Sequence, residues 1–211
     1  MIFGIFALIL SYLLGSVPTA FLAGKILHGI DIRRHGSGNV GTTNAFRVLG
    51  KGPGAVVFLI DVLKGMLPLT LIAALFGVEQ PFVRVLLGAS AVAGHNWTVF
   101  LNFKGGKGIA TSLGVILGMA VVFPLMWVPL MLCVVIWAAC FYLFGYVSLA
   151  SMAAAVMLPV TMAVVAQPPE LVLMGAVFAV FAVVRHRSNI SRLIAGVEPR
   201  VFWMGRRVGK E

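Results

Sequence analysis

Charged residues are scarce in this chain, at 10% of its 211 residues, against about 25% in an ordinary soluble domain. Only 6 residues are acidic. No D-x-x-D pattern pairs them, which argues against the carboxylate metal site of metal-dependent alcohol phosphotransferases. The two cysteines, Cys133 and Cys140, lie seven apart in one apolar stretch. No disulfide framework or metal-ligand spacing can be built from them, and both read as small buried hydrophobes. There is no internal repeat, no GxxxxGK[ST] nucleotide loop, and no polar stretch long enough for a separate soluble domain. No basic residue precedes Lys25, and the first apolar run is too long for a usual signal core, so this segment is expected to stay in the mature protein.

Apolar residues are abundant instead. They make up 61% of the chain, with a mean hydropathy of +1.06. Runs of about 17–25 apolar residues, the length that spans a bilayer, recur from end to end. They predict helices at roughly 2–27, 54–76, 82–101, 108–125, 127–144, 149–166 and 169–185. The division between the fourth and fifth rests only on the Pro124–Pro129 turn. The expected fold is an all-α integral membrane protein of about seven transmembrane helices, forming one polytopic domain over residues 1–211.

The net charge of +10 could suggest nucleic acid, but that needs a soluble basic face, and these cations flank apolar spans. Anionic lipid headgroups and the positive-inside rule explain them better, so membrane lipid is an expected partner and nucleic acid is not. With seven spans, 14 of the 16 Lys and Arg fall on one side, leaving Lys64 and Arg84. The acidic Glu79 and Glu170 fall in short loops opposite. The amino terminus is therefore expected outside and the carboxyl terminus in the cytoplasm. The segments 28–53, 102–108, 145–148 and 186–211 become cytoplasmic loops.

Two of these loops are rich in glycine. GSGNVGTTN, residues 36–44, is followed by Arg47 and offers Ser37, Asn39, Thr42, Thr43 and Asn44 as polar groups. FKGGKGIAT, residues 103–111, sets Lys104 and Lys107 among Gly105, Gly106 and Gly108 at the start of a helix. Free amides at a helix amino terminus beside lysines hold phosphate by geometry and dipole. A tight turn and a pair of topology anchors are the bland alternatives; the clustering of donors and near absence of acids favour anion binding.

Further polar groups gather at the same level. They are His95 in Gly94-His95-Asn96, Ser148 in Tyr146-Val147-Ser148, and His186, Arg187, Asn189 and Arg192 in HRSNISRL. Inside the second span, Asp61 and Lys64 are three apart, and an unpaired charge in lipid is costly, so they are expected to pair and to serve mainly structure. Gly15-Ser16-Val17-Pro18 marks a kink or a close helix contact.

Together these residues resemble the acyl-phosphate-dependent glycerol-3-phosphate acyltransferases, the PlsY family. The resemblance is carried by GSVPTA, GSGN-x-G-x-TN-x-x-R, D-x-x-KG, GH followed by F-KGGKG-x-AT, YVSL, and HR-x-NI-x-RL-x-x-G-x-E ending at Glu198. Thr42 departs from it, standing where the family typically has alanine. The resemblance implies a seven-helix enzyme of the bacterial inner membrane with its active site facing the cytoplasm. It would move an acyl group from acyl phosphate to the 1-hydroxyl of glycerol 3-phosphate, giving lysophosphatidic acid and phosphate in phospholipid synthesis. It implies a functional link to whatever enzyme produces acyl phosphate, and nothing in the sequence calls for a metal or a cofactor.

An acyl phosphate is already activated, so such a site needs alignment and charge stabilisation rather than a covalent intermediate. On that reading Arg47 and Lys107 clamp the phosphate of glycerol 3-phosphate, and Lys104 with the amides of Gly105–Gly108 receives the acyl-phosphate end, the two assignments being exchangeable. Asn39, Thr43 and Asn44 add donors. Ser37, Ser148, His186 and Asn189 orient the reacting groups, and His95, Lys64, Asp61 and Arg187 support them. The base is either His186 or a substrate phosphate, the second being slightly preferred. A transporter for phosphorylated metabolites is the alternative, and a basic membrane scaffold comes third.

Overall fold

Helices form wherever apolar sequence runs uninterrupted, and most of them end at glycine or proline. The computed structural model describes residues 2–201, and these contain helices and no strand. In chain order the helices are α1 (Ile2–Ser16), α2 (Thr19–His28), α3 (Thr42–Leu49), α4 (Lys51–Met66), α5 (Ala73–Leu75), α6 (Pro81–Asn96), α7 (Ile109–Val122), α8 (Trp127–Phe144), α9 (Val147–Val164), α10 (Pro169–Arg185) and α11 (Arg187–Ile194).

All seven expected apolar segments are helical, but their lengths differ from a simple seven-rod picture. Three stretches are individually long and apolar enough to cross a membrane: Lys51–Leu75, Pro124–Phe144 and Val147–Val164. Counting each of two bent pairs as one span raises this to five, and α7 is a shorter apolar helix. The first expected span is broken at Val17–Pro18, where the axis turns by 41°. Pro18 has no amide to donate and restricts the residue before it, so the break falls where the sequence reading placed a kink. A one-turn π segment, Pro68–Ile72, carries α4 into α5.

Segments expected as loops also hold short helices. Within 28–53 lies α3, which carries Thr43, Asn44 and Arg47, and within 186–211 lies α11. Both are polar on one face and too short to register as apolar runs. Residues 202–211 of the last expected loop lie outside the described residues.

Close backbone approach sets the central packing. A Cβ on Gly65 of α4 would overlap the Thr111 carbonyl of α7, and one on Gly114 of α7 would overlap the Val62 carbonyl of α4. Small residues allow this approach, which apolar solvent alone does not drive. The main core, including Leu69, Val92, Val115, Met119, Met162 and Phe178, runs between α6, α7, α9 and α10. A second cluster, with Ala20, Ile32, Val40, Ala45, Leu49 and Val57, supports the first glycine-rich segment from below. Most of α8 leaves its apolar side chains uncovered, as suits a helix facing lipid.

Asp61 and Lys64 pair inside the bundle at 2.8 Å, with side chains 1% and 3% exposed. Lys64 also donates to the Val17 carbonyl at 2.9 Å, capping the broken end of the first span, and Thr19 donates to Asp61 at 3.0 Å. The Thr42 hydroxyl, the departure from the family pattern, reaches Asp61 Oδ2 at 3.4 Å. The pair therefore ties α2, α3 and α4 together.

Replacing Gly114 with Val is expected to destabilise the protein by about 1–3 kcal/mol through overpacking. Thermal unfolding in detergent checks this, and an unchanged midpoint would contradict the α4–α7 contact.

Candidate active site

Three polar segments meet at one end of the bundle, around a cavity of about 530 Å³. Its wall is Ser37, Gly38 and Asn39 from the first glycine-rich segment, Trp97 after α6, Lys107 from the second, Val184 and Arg185 ending α10, and Arg187, Ser188 and Arg192 of α11. Four of these ten residues are cations and none is an acid. Ser37, Asn39, Lys107 and Arg187, singled out in sequence, thus come together.

One carboxylate stands behind this wall. Glu198 is buried and accepts from the Ser148 hydroxyl at 2.6 Å, Asn189 Nδ2 at 2.6 Å and Arg192 Nε at 2.7 Å. Burial works against its charge, but these three donors outweigh that and hold the carboxyl below its ordinary range. Asn189 in turn accepts from Lys107 Nζ through its side-chain oxygen. A continuous chain therefore runs from Lys107 through Asn189 to Glu198, Ser148 and Arg192. Ser148 lies in the first turn of α9 and neither caps that helix nor lines the cavity.

Lys107 is pushed down to about 8, mainly by burial and further by Arg192, Arg185 and Arg47, while Glu198 pulls the other way. His186 is pushed down to about 4, again mainly by burial and next by Lys107. Its Nδ1 lies 2.7 Å from the Ala182 carbonyl. That atom must carry the proton, which leaves Nε2 as an acceptor on a neutral ring.

The second glycine-rich segment is held differently from the expectation that all amides of Gly105–Gly108 face a phosphate. The Gly105 amide donates to the Asn96 carbonyl at 3.1 Å, and the Gly106 amide to the His95 carbonyl at 3.0 Å. Both are occupied at the carboxyl end of α6. Among the described residues, the amides of Lys107 and Gly108 have no backbone acceptor. Gly108 has φ +79°, and a Cβ on Gly106 would strike the His95 ring. A side chain at either position would strain or displace the turn. The His95 ring thus packs behind the loop, against Gly106.

Other expected groups stand apart. Lys104 and Thr43 are exposed and do not line the cavity. Arg47 is exposed beside Gly36, outside the wall but near enough to act on Lys107. Asn44 is buried and structural: it accepts from the Ser37 amide at 2.9 Å and donates to the carbonyls of Ile32 and His35. It fixes the turn that presents Ser37. Asp61 and Lys64 lie in the bundle behind α3. The sequence reading had not assigned Trp97, Arg185, Ser188 or Glu198 to the site, and had named Arg192 without giving it a role. Glu198 was visible as the end of a motif.

A helical membrane bundle with an acid-free, cation-lined cavity defines a class of anion-handling membrane proteins, and comparison with known proteins narrows it. The family model described as glycerol-3-phosphate acyltransferase matches residues 5–196. A glycerol-3-phosphate acyltransferase of Synechococcus sp. (strain CC9902) is 46% identical over 199 residues, covering 94% of this chain and 96% of the relative. Glycerol-3-phosphate acyltransferase 2 of Moorella thermoacetica is 44% identical over 195 residues, covering 92% and 96%. The crystal structure of PlsY (YgiH), an integral membrane glycerol 3-phosphate acyltransferase, in its glycerol 3-phosphate form matches with a TM-score of 0.83. It is 37% identical, with 94% of this chain and 96% of that one covered. The lysophosphatidic acid form of the same enzyme gives a TM-score of 0.82. This chain belongs to the glycerol-3-phosphate acyltransferase family.

Because Lys107 titrates near 8, its charge is present below that pH and lost as the pH rises through it. Inorganic phosphate is expected to bind about tenfold more weakly at about pH 9 than at about pH 7. In Lys107→Arg, whose guanidinium stays charged, this weakening should disappear, leaving only the ionisation of phosphate itself; calorimetric titration of both proteins reads the difference.

Proposed function

We propose that this protein transfers a fatty acyl group from acyl phosphate to the 1-hydroxyl of glycerol 3-phosphate, releasing lysophosphatidic acid and inorganic phosphate. The observation that carries the reading is the convergence of both glycine-rich segments and α11 on one cation-lined cavity. Family membership, and the ligands named for the two PlsY structures, support glycerol 3-phosphate as acceptor and lysophosphatidic acid as product. Acyl phosphate as donor is supported by the resemblance and by a cavity wall that, among the described residues, has cations but no nucleophile–base pair.

The hydroxyl oxygen attacks the acyl carbonyl, the bond from that carbon to phosphate breaks, and the hydroxyl proton passes to a phosphate oxygen. Lys107, flanked by Arg187 and Arg192, opposes the repulsion of two phosphates and the charge on the departing one. Ser37 and Asn39 line the same cavity and orient the acceptor. A phosphate, with its second ionisation near about 6, is better matched to proton transfer at neutral pH than a histidine held near 4. The base is therefore a substrate phosphate, and His186 is a hydrogen-bond acceptor.

The acyl tail lies in an apolar groove of about 340 Å³ formed by Val17, Pro18, Phe21, Leu22, Phe100 and Leu101. This groove sits at the break of the first span. Phe100 and Leu101 enter the loop that carries Lys107, three and four residues after the cavity's Trp97. The distribution of cations supports seven spans in a bacterial inner membrane, with the amino terminus outside and the site open to the cytoplasm. The protein then works beside a soluble supply of glycerol 3-phosphate and an enzyme that makes acyl phosphate.

Protein reconstituted in lipid with palmitoyl phosphate and labelled glycerol 3-phosphate is expected to form labelled lysophosphatidic acid and phosphate in equal amounts. Lys107→Ala should lower that rate by about a hundredfold or more. No product, with label accumulating inside sealed vesicles, would instead identify a transporter. His186→Gln is expected to lower the rate yet leave the shape of the pH profile above about pH 5 unchanged, because the ring is already neutral there. Loss of an ionisation in that range would make His186 the base.

A further inference from the structure

The carboxyl end of a helix is a poor neighbour for an anion. Its last carbonyls are unsatisfied and it carries the negative end of the helix dipole. Helix α6 ends at Asn96, against the cavity wall at Trp97. The turn that carries Lys107 folds back on this end, with the amides of Gly105 and Gly106 consumed by the Asn96 and His95 carbonyls. What remains on this side of the turn is a group of acceptors: the Asn96 carbonyl's second lone pair and the carbonyls of Gly105 and Gly106. Left bare beside a cavity meant for phosphate, they would repel it.

Arg185 meets all three. Its Nη2 donates to the Gly106 carbonyl at 2.6 Å, the Gly105 carbonyl at 2.9 Å and the Asn96 carbonyl at 3.2 Å, and its Nε donates to Gly106 at 3.1 Å. The guanidinium carbon stands 5.8 Å from the centre of the Trp97 ring, which Phe181 backs edge-on at 5.6 Å. One planar fork spans the end of α10, the end of α6 and the glycine turn. A lysine has a single point of charge and cannot reproduce these directions.

We propose that Arg185 is a positioning residue for the phosphate site: it masks the carbonyl end of α6 and of the Gly105–Gly106 turn, and so holds Lys107 against Asn189 facing a wall free of acids and of bare helix-end carbonyls. The residue was legible in sequence only as a topological charge at the end of a span. This inference rests on the reading of the cavity as a phosphate site. Its structural half, the clamp on residues 105 and 106, stands on the hydrogen bonds alone.

Two measurements on Arg185→Gln and Arg185→Lys in lipid separate these halves. Kinetically, both variants are expected to raise KM for glycerol 3-phosphate about tenfold or more, with kcat within about threefold of the parent. Rescue of KM by lysine would overturn the proposal, since charge alone would then suffice, and so would an unchanged KM in both variants. By hydrogen–deuterium exchange without substrate, amides in the segment 103–109 should exchange about tenfold or more faster, with α8 and α9 unchanged. Equal acceleration throughout, or none at 103–109, would overturn it too, by making Arg185 a general support or an idle one. Local release in a protein whose parent form makes no lysophosphatidic acid would uphold the clamp and reject the transferase reading.

Discussion

Cations gathered without a ligand repel one another, and the arrangement of this site depends on how that repulsion is held in check. Lys107, Arg185, Arg187 and Arg192 face one cavity, with Arg47 nearby. The compensating charge is not in the cavity, where it would repel phosphate, but one layer behind it. Glu198 is buried against Ser148, Asn189 and Arg192, and it is joined to Lys107 by hydrogen bonds through the Asn189 amide. The wall thus keeps its net positive field while Lys107 and Arg192 each have a partner behind it. Arg185 is paired in another way, with carbonyl dipoles rather than a carboxylate.

The same need to satisfy polar groups away from water shapes the bundle. In an apolar solvent each backbone group at a helix end must find a partner within the protein. The broken end of α1 finds Lys64, which the Asp61 carboxylate holds in place. The end of α6 finds the Gly105 and Gly106 amides and Arg185. In both places a helix terminus within the bundle is completed by side chains from distant sequence, and at the second it becomes one wall of the site.

The long helices were legible because their signal is local. The limits of α8 and α10 agree with the apolar runs 127–144 and 169–185, and Pro18 marked the break between α1 and α2. The shortness of α7 and the two small helices α3 and α11 were not, since eight residues with polar faces leave no apolar run to detect. Ser37, Asn39, Lys107 and Arg187 could be read into the site from residue type and spacing. The occupied amides of Gly105 and Gly106 could not, because their acceptors on α6 are defined only once the turn folds back. For the same reason Asn44 read as a donor to substrate although it is spent on the Ile32 and His35 carbonyls, and Arg185 read as a membrane anchor.

The most direct test of the central claim is an experimental structure with glycerol 3-phosphate bound. The account places the phosphate group in the cavity, within hydrogen-bonding distance, about 3 Å, of Lys107 Nζ, with Ser37 or Asn39 on the far side and Glu198 out of contact. Phosphate seated instead on exposed Lys104, with the Lys107–Asn189 bond undisturbed and the cavity holding only solvent, would contradict it.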